Sequence, residues 1–206
     1  TRTHGSRAAH RWRALLLVAL GIFLRSLWSP GTYFTFEDTL TQIGLGYVPL
    51  FLLGFTRVRT QVITCALILI LFWTAFALYP APPTNFDYPS VGVPQNWEHN
   101  YTGFLSHWNK NSNLSWRFDV WFLSLFPREH PFIYNQGGWS TLSFIPTLAT
   151  MILGLLTGEW LKTPKSTQEK LRGLVIAGLA LILLGLICQW LGICPIVKRV
   201  WTSSYT

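Results

Sequence analysis

Five apolar stretches, separated by three short polar joints and one long one, set the pattern of the chain. A hydrocarbon core about 30 Å thick needs roughly 20 mostly apolar residues at the helical rise, with some latitude for tilt and bilayer thinning. The stretches cover about 14–28, 39–55, 61–79, 139–161 and 173–193. They predict an all-α fold, a polytopic transmembrane helical bundle of about five spans. The first (ALLLVALGIFLRSLW) is the shortest and carries Arg25 near its far end, where the side chain can snorkel to the interface. The second holds Pro49 with Gly44, Gly46 and Gly54, which predicts a kinked helix packed closely on a neighbour. CALILILFWTAFALY makes the third the plainest lipid-facing span. Pro146 interrupts the fourth, which also has Gly154 and Gly158 at GxxxG spacing, and the fifth is rich in Leu, Ile and Gly.

Residues 80–138 form the one long joint. It opens with turn-forming residues (PAPPTNFDYPSVGVP), where regular structure is not expected. It then gathers 13 of the 32 aromatic residues between Phe86 and Tyr134, too many for a disordered linker, and so predicts a folded cap against the membrane. Within it, Trp116 to Phe126 suits a short interfacial helix that stops at Pro127. On composition alone, an aromatic belt at the interface without any site fits equally well.

Composition strengthens the membrane reading. Half the residues are hydrophobic, 12% are charged and mean hydropathy is +0.32, a poor balance for a water-exposed globule. The net charge of +8 does not predict a nucleic-acid partner, because the Lys and Arg residues lie in short runs between apolar stretches. Ten of the 16 fall on one side of an alternating topology: Arg2, Arg7, Arg11 and Arg13, then Arg57 and Arg59, then Lys162, Lys165, Lys170 and Arg172. That side is predicted to be cytoplasmic, with the beginning of this chain on it and the 80–138 cap outside. Lys198 and Arg199 dissent, and a further span after Thr206 would account for them. The first residue is Thr1 rather than Met, so a preceding segment is expected. Cys65, Cys188 and Cys194 lack paired or metal-ligand spacing and read as small apolar fillers; no metal and no bound cofactor are predicted. Two sequons, at Asn100 and Asn113, lie in the cap.

Polar residues at span ends and in the cap are the candidates for chemistry, since ionisable groups near hydrocarbon are costly. Glu37, Asp38, Thr41 and Gln42 sit at the outer mouth of the second span. Asp38, Thr41 and Gln42 share a helical face, and capping by Asp38 is the plain alternative to a functional role. His107-Trp-Asn109-Lys-Asn111-Ser-Asn113, with His99 upstream, resembles a sugar- or anion-binding surface, and equally an Asn-rich turn. Arg128-Glu-His130 and Tyr134-Asn135-Gln-Gly137-Gly138 form the third cluster, in which the glycines allow either a ligand or a turn close to the backbone. No Ser-His-Asp order, HExxH or phosphate-binding loop is present.

Three stretches carry a family resemblance: FEDTLTQIGLGYVPLFLLGF (36–55), GVPQNWEHNYTGFLSHWNKNSNLSWRFDVWFLSLFPRE (92–129) and YNQGGWSTLSFIPTLATMILGLLTGEWL (134–161). They look like bacterial membrane proteins of the heparan-α-glucosaminide N-acetyltransferase type, carrying the DUF5009 domain. The resemblance implies a transmembrane acyltransferase in a bacterial inner membrane that passes an acyl group from cytoplasmic acetyl-CoA, or another acyl-CoA, to an amino sugar or glycan outside. Its partners would be the bilayer, the acyl-CoA donor and the glycan acceptor, with an oligomer allowed. The family places its histidine in an outer loop after an earlier span, and none of His4, His10, His99, His107 or His130 occupies that motif. The catalytic residue is therefore expected upstream of this fragment, which also stops before the family's last spans. The motif positions carried over are Asp38, Gln42, Asn109, Asn111, Asn113, Asp119, Arg128, Asn135, Gly137 and Gly138. Asp38 and Gln42 would line the path from donor to acceptor, while the Asn cluster and Arg128 would contact the acceptor or brace the cap.

A transporter or flippase-like protein and a non-catalytic membrane subunit are the competing readings. A transporter predicts repeated span patterns around a midplane site, and no span pattern recurs here. A subunit predicts no upstream histidine.

Overall fold

The computed structural model describes residues 3–206, with side chains from Ala9 onward; the side chains of Arg2, His4 and Arg7 lie outside the described residues. Six α-helices form: α1 (Thr3–Ser26), α2 (Thr39–Leu53), α3 (Val58–Leu78), α4 (Leu114–Phe122), α5 (Phe144–Leu161) and α6 (Thr167–Trp190). Short 3-10 turns join them, and no strand occurs among the described residues. Three helices are long and apolar enough to cross a membrane: α3, α5 with its leading turn, and α6. The 15 residues of α2 reach about 22 Å, and the charged first half of α1 dilutes its apolar half.

Local chemistry accounts for the helix ends. Asp38 caps α2, and Asn113 caps α4 by accepting from the Trp116 amide. Ser166 and Glu169 form a reciprocal capping box that opens α6 six residues ahead of the apolar stretch. Tyr79 adopts extended backbone ahead of Pro80, and α3 stops there. Pro146 falls in the first turn of α5, where no intrahelical amide is required, so it starts that span rather than interrupting it. Pro49, by contrast, lies inside α2 and removes an amide donor.

The helices do not pack in chain order: α1 lies on α2, α2 on α5, and α5 on α3. The glycines of α2 serve two neighbours. A Cβ at Gly44 would lie 2.9 Å from the Ala14 carbonyl oxygen of α1, and one at Gly46 would lie 3.1 Å from Met151 Sδ of α5. Gly154 and Gly158 meet nothing within 4 Å, so the GxxxG pair joins no helices within this chain. The stripe Gln61, Cys65, Phe72 and Phe76 is buried, while Val58, Val62, Ile63, Leu67, Ile70, Leu71 and Leu78 of α3 face outward. The most exposed helix is α6, whose single buried residue is Gly185.

Two apolar clusters organise the interior. Cys65, Leu148, Ala149 and Ile152 join α3 to α5 at mid-depth, and Phe72, Phe76, Trp108 and Val200 join α3 to the cap and the C-terminal segment. The C-terminal segment turns back among the helices. Trp201 Nε1 donates to Thr150 Oγ1 at 3.1 Å, Ser203 Oγ to the Leu69 carbonyl at 2.8 Å, and the Ser204 carbonyl rests where a Cβ on Gly185 would stand. Aromatic contacts run through residues 80–138, as between Phe86 and Trp116 and between Phe118 and Phe122. The first part of this cap has only one short turn, Pro89–Val91, and the expected interfacial helix is α4, ending in a 3-10 turn before Pro127.

Candidate functional site

At the mouth of α2, the Asp38 carboxylate is fully engaged. One oxygen accepts from the amides of Leu40 (2.9 Å) and Thr41 (3.1 Å), and the other accepts from the Thr41 hydroxyl at 2.7 Å. Gly21 of α1 leaves room for it, since a Cβ there would stand 2.7 and 2.9 Å from the two oxygens. Capping therefore accounts for Asp38. Gln42 does something different. Its amide nitrogen donates to the Glu37 carbonyl at 3.0 Å, and its oxygen accepts from Thr147 Oγ1 on α5 at 2.9 Å. Gln42 is buried, and this polar bridge fixes α2 against α5.

Asn109, Asn111 and Asn113 are buried and Asn135 half-buried, and all four are mostly bonded to backbone. Asn109 accepts from the Tyr101 amide and donates to the Tyr101 carbonyl and to the Tyr88 hydroxyl. Asn111 donates to the carbonyls of Val91 (2.8 Å) and Asn135 (3.0 Å), from a left-handed backbone at φ 52° that favours asparagine. Asn113 donates to the Asn109 carbonyl while capping α4. Asn135 accepts from the amides of Gly137 and Trp139 and donates to Glu37 Oε1 at 3.4 Å. Each asparagine ties together segments with no regular structure of their own, which is why a loop this irregular can be rigid. Burial also places the Asn113 sequon out of reach in the folded chain.

Two glycines have geometric duties. Gly138 stands at φ 76°, and a Cβ on it would lie 2.8 Å from the Lys110 side chain. Gly137 lies under the Trp139 ring. Arg128 donates through Nε to the Leu123 carbonyl and through a terminal nitrogen to the Phe34 carbonyl, and lies over the rings of Tyr33 and Phe132. It joins the cap to the segment leading into α2.

Two carboxyl groups dominate the electrostatics of this region. Asp119 of α4 is buried, and both its oxygens accept from the Thr141 amide, at 3.0 and 3.3 Å. Burial pushes its carboxyl up to about 7; bonding to Thr141 opposes that rise, and the charge of Glu37 adds to it. Burial likewise raises the Glu37 carboxyl, against its own backbone amide and Arg25, whose guanidinium is 4.0 Å away. A seam of polar contacts thus runs from Gln42 through Glu37 and Asn135 to Asn111. Beside it, Asn111, Asn113, Asp119, Asn135 and Gly138 line a void of about 10 Å³, the size of a single water.

Of the ten residues carried over, five line this void, and Gln42 joins it through the seam. Gly137 supports it through Asn135. Asp38 and Arg128 stand apart, one at the cap of α2 and the other beneath Phe34. Asn109 instead lines a larger cavity of about 270 Å³, which Asn113 and Gly138 border as well. That cavity takes His99, Trp108, Asn109, Lys110 and Asn113 from the cluster read as a sugar- or anion-binding surface, and adds Trp97, Lys198 and Arg199, which no sequence motif singles out. The mismatch of Lys198 and Arg199 with the charge rule was the available signal. Among the described residues, no group of three His, Cys, Asp or Glu side chains is arranged to hold a metal ion. No protein-family model, curated protein or solved structure matches the chain.

Proposed function

We propose that this chain is the acceptor-facing part of a multi-pass membrane acyltransferase, which passes an acyl group from a cytoplasmic acyl-CoA to an amino sugar or glycan outside. The observation that carries the reading is that the three stretches resembling the family, 36–55, 92–129 and 134–161, meet at one polar seam, with Glu37, Asn111 and Asn135 as its joints. In this reading α1 and α2 are the remaining two spans. The exposed Leu15, Leu16, Leu20, Phe23 and Leu24 of α1 face lipid, as do most residues of α6. The chain lies in a bacterial inner membrane with its beginning in the cytoplasm and residues 80–138 outside.

In the transfer, the acceptor amine attacks the thioester carbonyl. A C–N bond forms, the C–S bond breaks, the amine proton goes to a base, and coenzyme A leaves as the thiolate. The family resemblance would place the base in an outer loop that precedes the span corresponding to α1. His10 stacks on Phe51, and the His107 ring bonds to the Tyr79 carbonyl, so both have structural employment. This chain's own part is to hold the cap rigidly over the spans through the Asn cluster and Gln42.

Full-length protein reconstituted with acetyl-CoA and amino-sugar acceptors tests the reading. Acetylated sugar and free coenzyme A are the expected products. Absence of both from correctly folded protein, across acceptors and acyl donors, would leave a transporter or a non-catalytic subunit. Topology has its own test: Gln95→Cys should react with a membrane-impermeant maleimide in intact cells, and Lys165→Cys only after permeabilisation. The reverse pattern overturns the orientation.

A further inference from the structure

The cavity of about 270 Å³ lies between the cap and the segment after α6, with Trp97, Tyr101 and Lys110 on one side and Lys198 and Arg199 on the other. Lys110, Lys198, Arg199 and His99 line it, and no carboxylate does. The nearest acid by sequence, Glu98, pairs with His99 at 3.7 Å and is not part of the lining. Among the described residues, Lys110, Lys198 and Arg199 make no ion pair.

Lys110 and Arg199 converge on one ring. The ammonium lies 5.5 Å and the guanidinium 5.3 Å from the centroid of Trp97. Like charges drawn to one ring repel, and burial together with Arg199 lowers the Lys110 ammonium from its ordinary value. The arrangement is nonetheless fixed. Gly138 gives up its side chain to seat the Lys110 stem, and Val200, next to Arg199, is buried against Trp108 and Phe76. Cations held together without a counter-charge, beside an aromatic wall, suit a ligand that supplies both an oxyanion and a ring face.

We propose that this cavity binds a sugar or polyol phosphate, with the oxyanion between Lys110 and Arg199 and the ring against Trp97. The phosphate belongs either to a soluble sugar phosphate or to a phospholipid headgroup. The proposal concerns binding and stands whether or not the chain takes part in acyl transfer.

Binding is measured on the full chain in nanodiscs of phosphatidylcholine, with glucosamine 6-phosphate, glucosamine and inorganic phosphate as probes. A parallel arm adds phosphatidylinositol to the nanodiscs. Glucosamine 6-phosphate should bind saturably, more tightly than either glucosamine or phosphate, and weaken with added salt. If the lipid headgroup is the occupant, phosphatidylinositol should abolish that binding by competition. If the soluble compound is, binding should persist in its presence. Lys110→Gln and Arg199→Gln should each cost about tenfold in affinity, as loss of one charge-assisted contact does, and Arg199→Lys should restore most of it. Trp97→Ala should remove the preference for glucosamine 6-phosphate over phosphate. Exposed Lys198→Gln, which disturbs no packing, should give a smaller loss in the same direction and guards against misfolding of the other variants. No saturable binding of any probe overturns the proposal. Binding that is indifferent to both Lys110→Gln and Arg199→Gln, or equal for glucosamine and its phosphate, overturns it as well.

Discussion

Replacing Asp119 with Asn should make the chain more stable at neutral pH and remove a pH dependence that the wild type carries. The Asp119 carboxyl rises from 3.8 to about 7 on folding, so between those values the folded chain holds a proton that the unfolded chain has released. Stability then falls as pH rises through that window and levels off above about 7. Three pH units at about 1.4 kcal/mol each give a full penalty of about 4 kcal/mol, with roughly 2 kcal/mol of it accruing between pH 5 and 7. Asn retains an oxygen for the Thr141 amide and has no charge to desolvate. The assay is thermal unfolding of wild type and Asp119→Asn in the same detergent from pH 5 to 8, compared as a difference so that other titrating groups cancel. The variant's advantage should widen by several degrees between pH 5 and 7 and then stay constant. A difference that is flat with pH, or that favours the wild type at pH 8, refutes the account of this carboxyl.

Gly44→Leu should destabilise the chain by about 1–3 kcal/mol, because its Cβ meets backbone of α1, whereas Gly154→Ala, with open space around it, should be neutral or stabilising by up to about 1 kcal/mol; melting curves compare the two. A double-mutant cycle on Gln42→Leu and Thr147→Val should show coupling of about 0.5–1.5 kcal/mol for the bridge between α2 and α5, and additive losses would remove that bridge. Asn111→Ala should expose the 92–138 region to limited proteolysis in the folded chain while leaving α3 and α6 protected, since Asn111 alone joins Val91 to the Asn135 turn.

The helices were legible because span length, helix caps and proline positions are local signals. Tyr79 before Pro80 sets the end of α3, whereas the Ser166–Glu169 box that opens α6 went unread because it lies ahead of the apolar stretch. Which face each helix presents was not legible. The lipid-facing expectation for α3 missed one buried stripe of four residues, because uniform apolarity has no period to reveal it. The partners of Gly44 and Gly46 depend on a packing order that departs from chain order, and the GxxxG pair named a motif without naming a neighbour. In the cap, the asparagines were recognisable as a group, and their alternatives as turn formers or sugar contacts were both stated. What separates the two is which backbone groups they reach, as with Asn111 and Val91, and that depends on long-range folding. One wall of the basic cavity, around His99 and Lys110, was legible as a sugar- or anion-binding cluster, and the other was hidden because Arg199 comes from a segment far away in the chain.

The returning C-terminal segment sets the order in which the protein can be completed. Leu69 of α3 receives its bond from Ser203, 134 residues later, and Trp73 donates to Ile193, 120 residues later. At a synthesis rate of about 5–20 residues per second, the inner face of α3 waits roughly 7 to 27 s for its covering. Phe72 and Phe76 emerge early with α3, and their partner Val200 arrives more than 120 residues later. During that interval the half-built bundle presents an aromatic face that its own chain does not yet cover, so closure of this end of α3 waits on synthesis of the segment after α6.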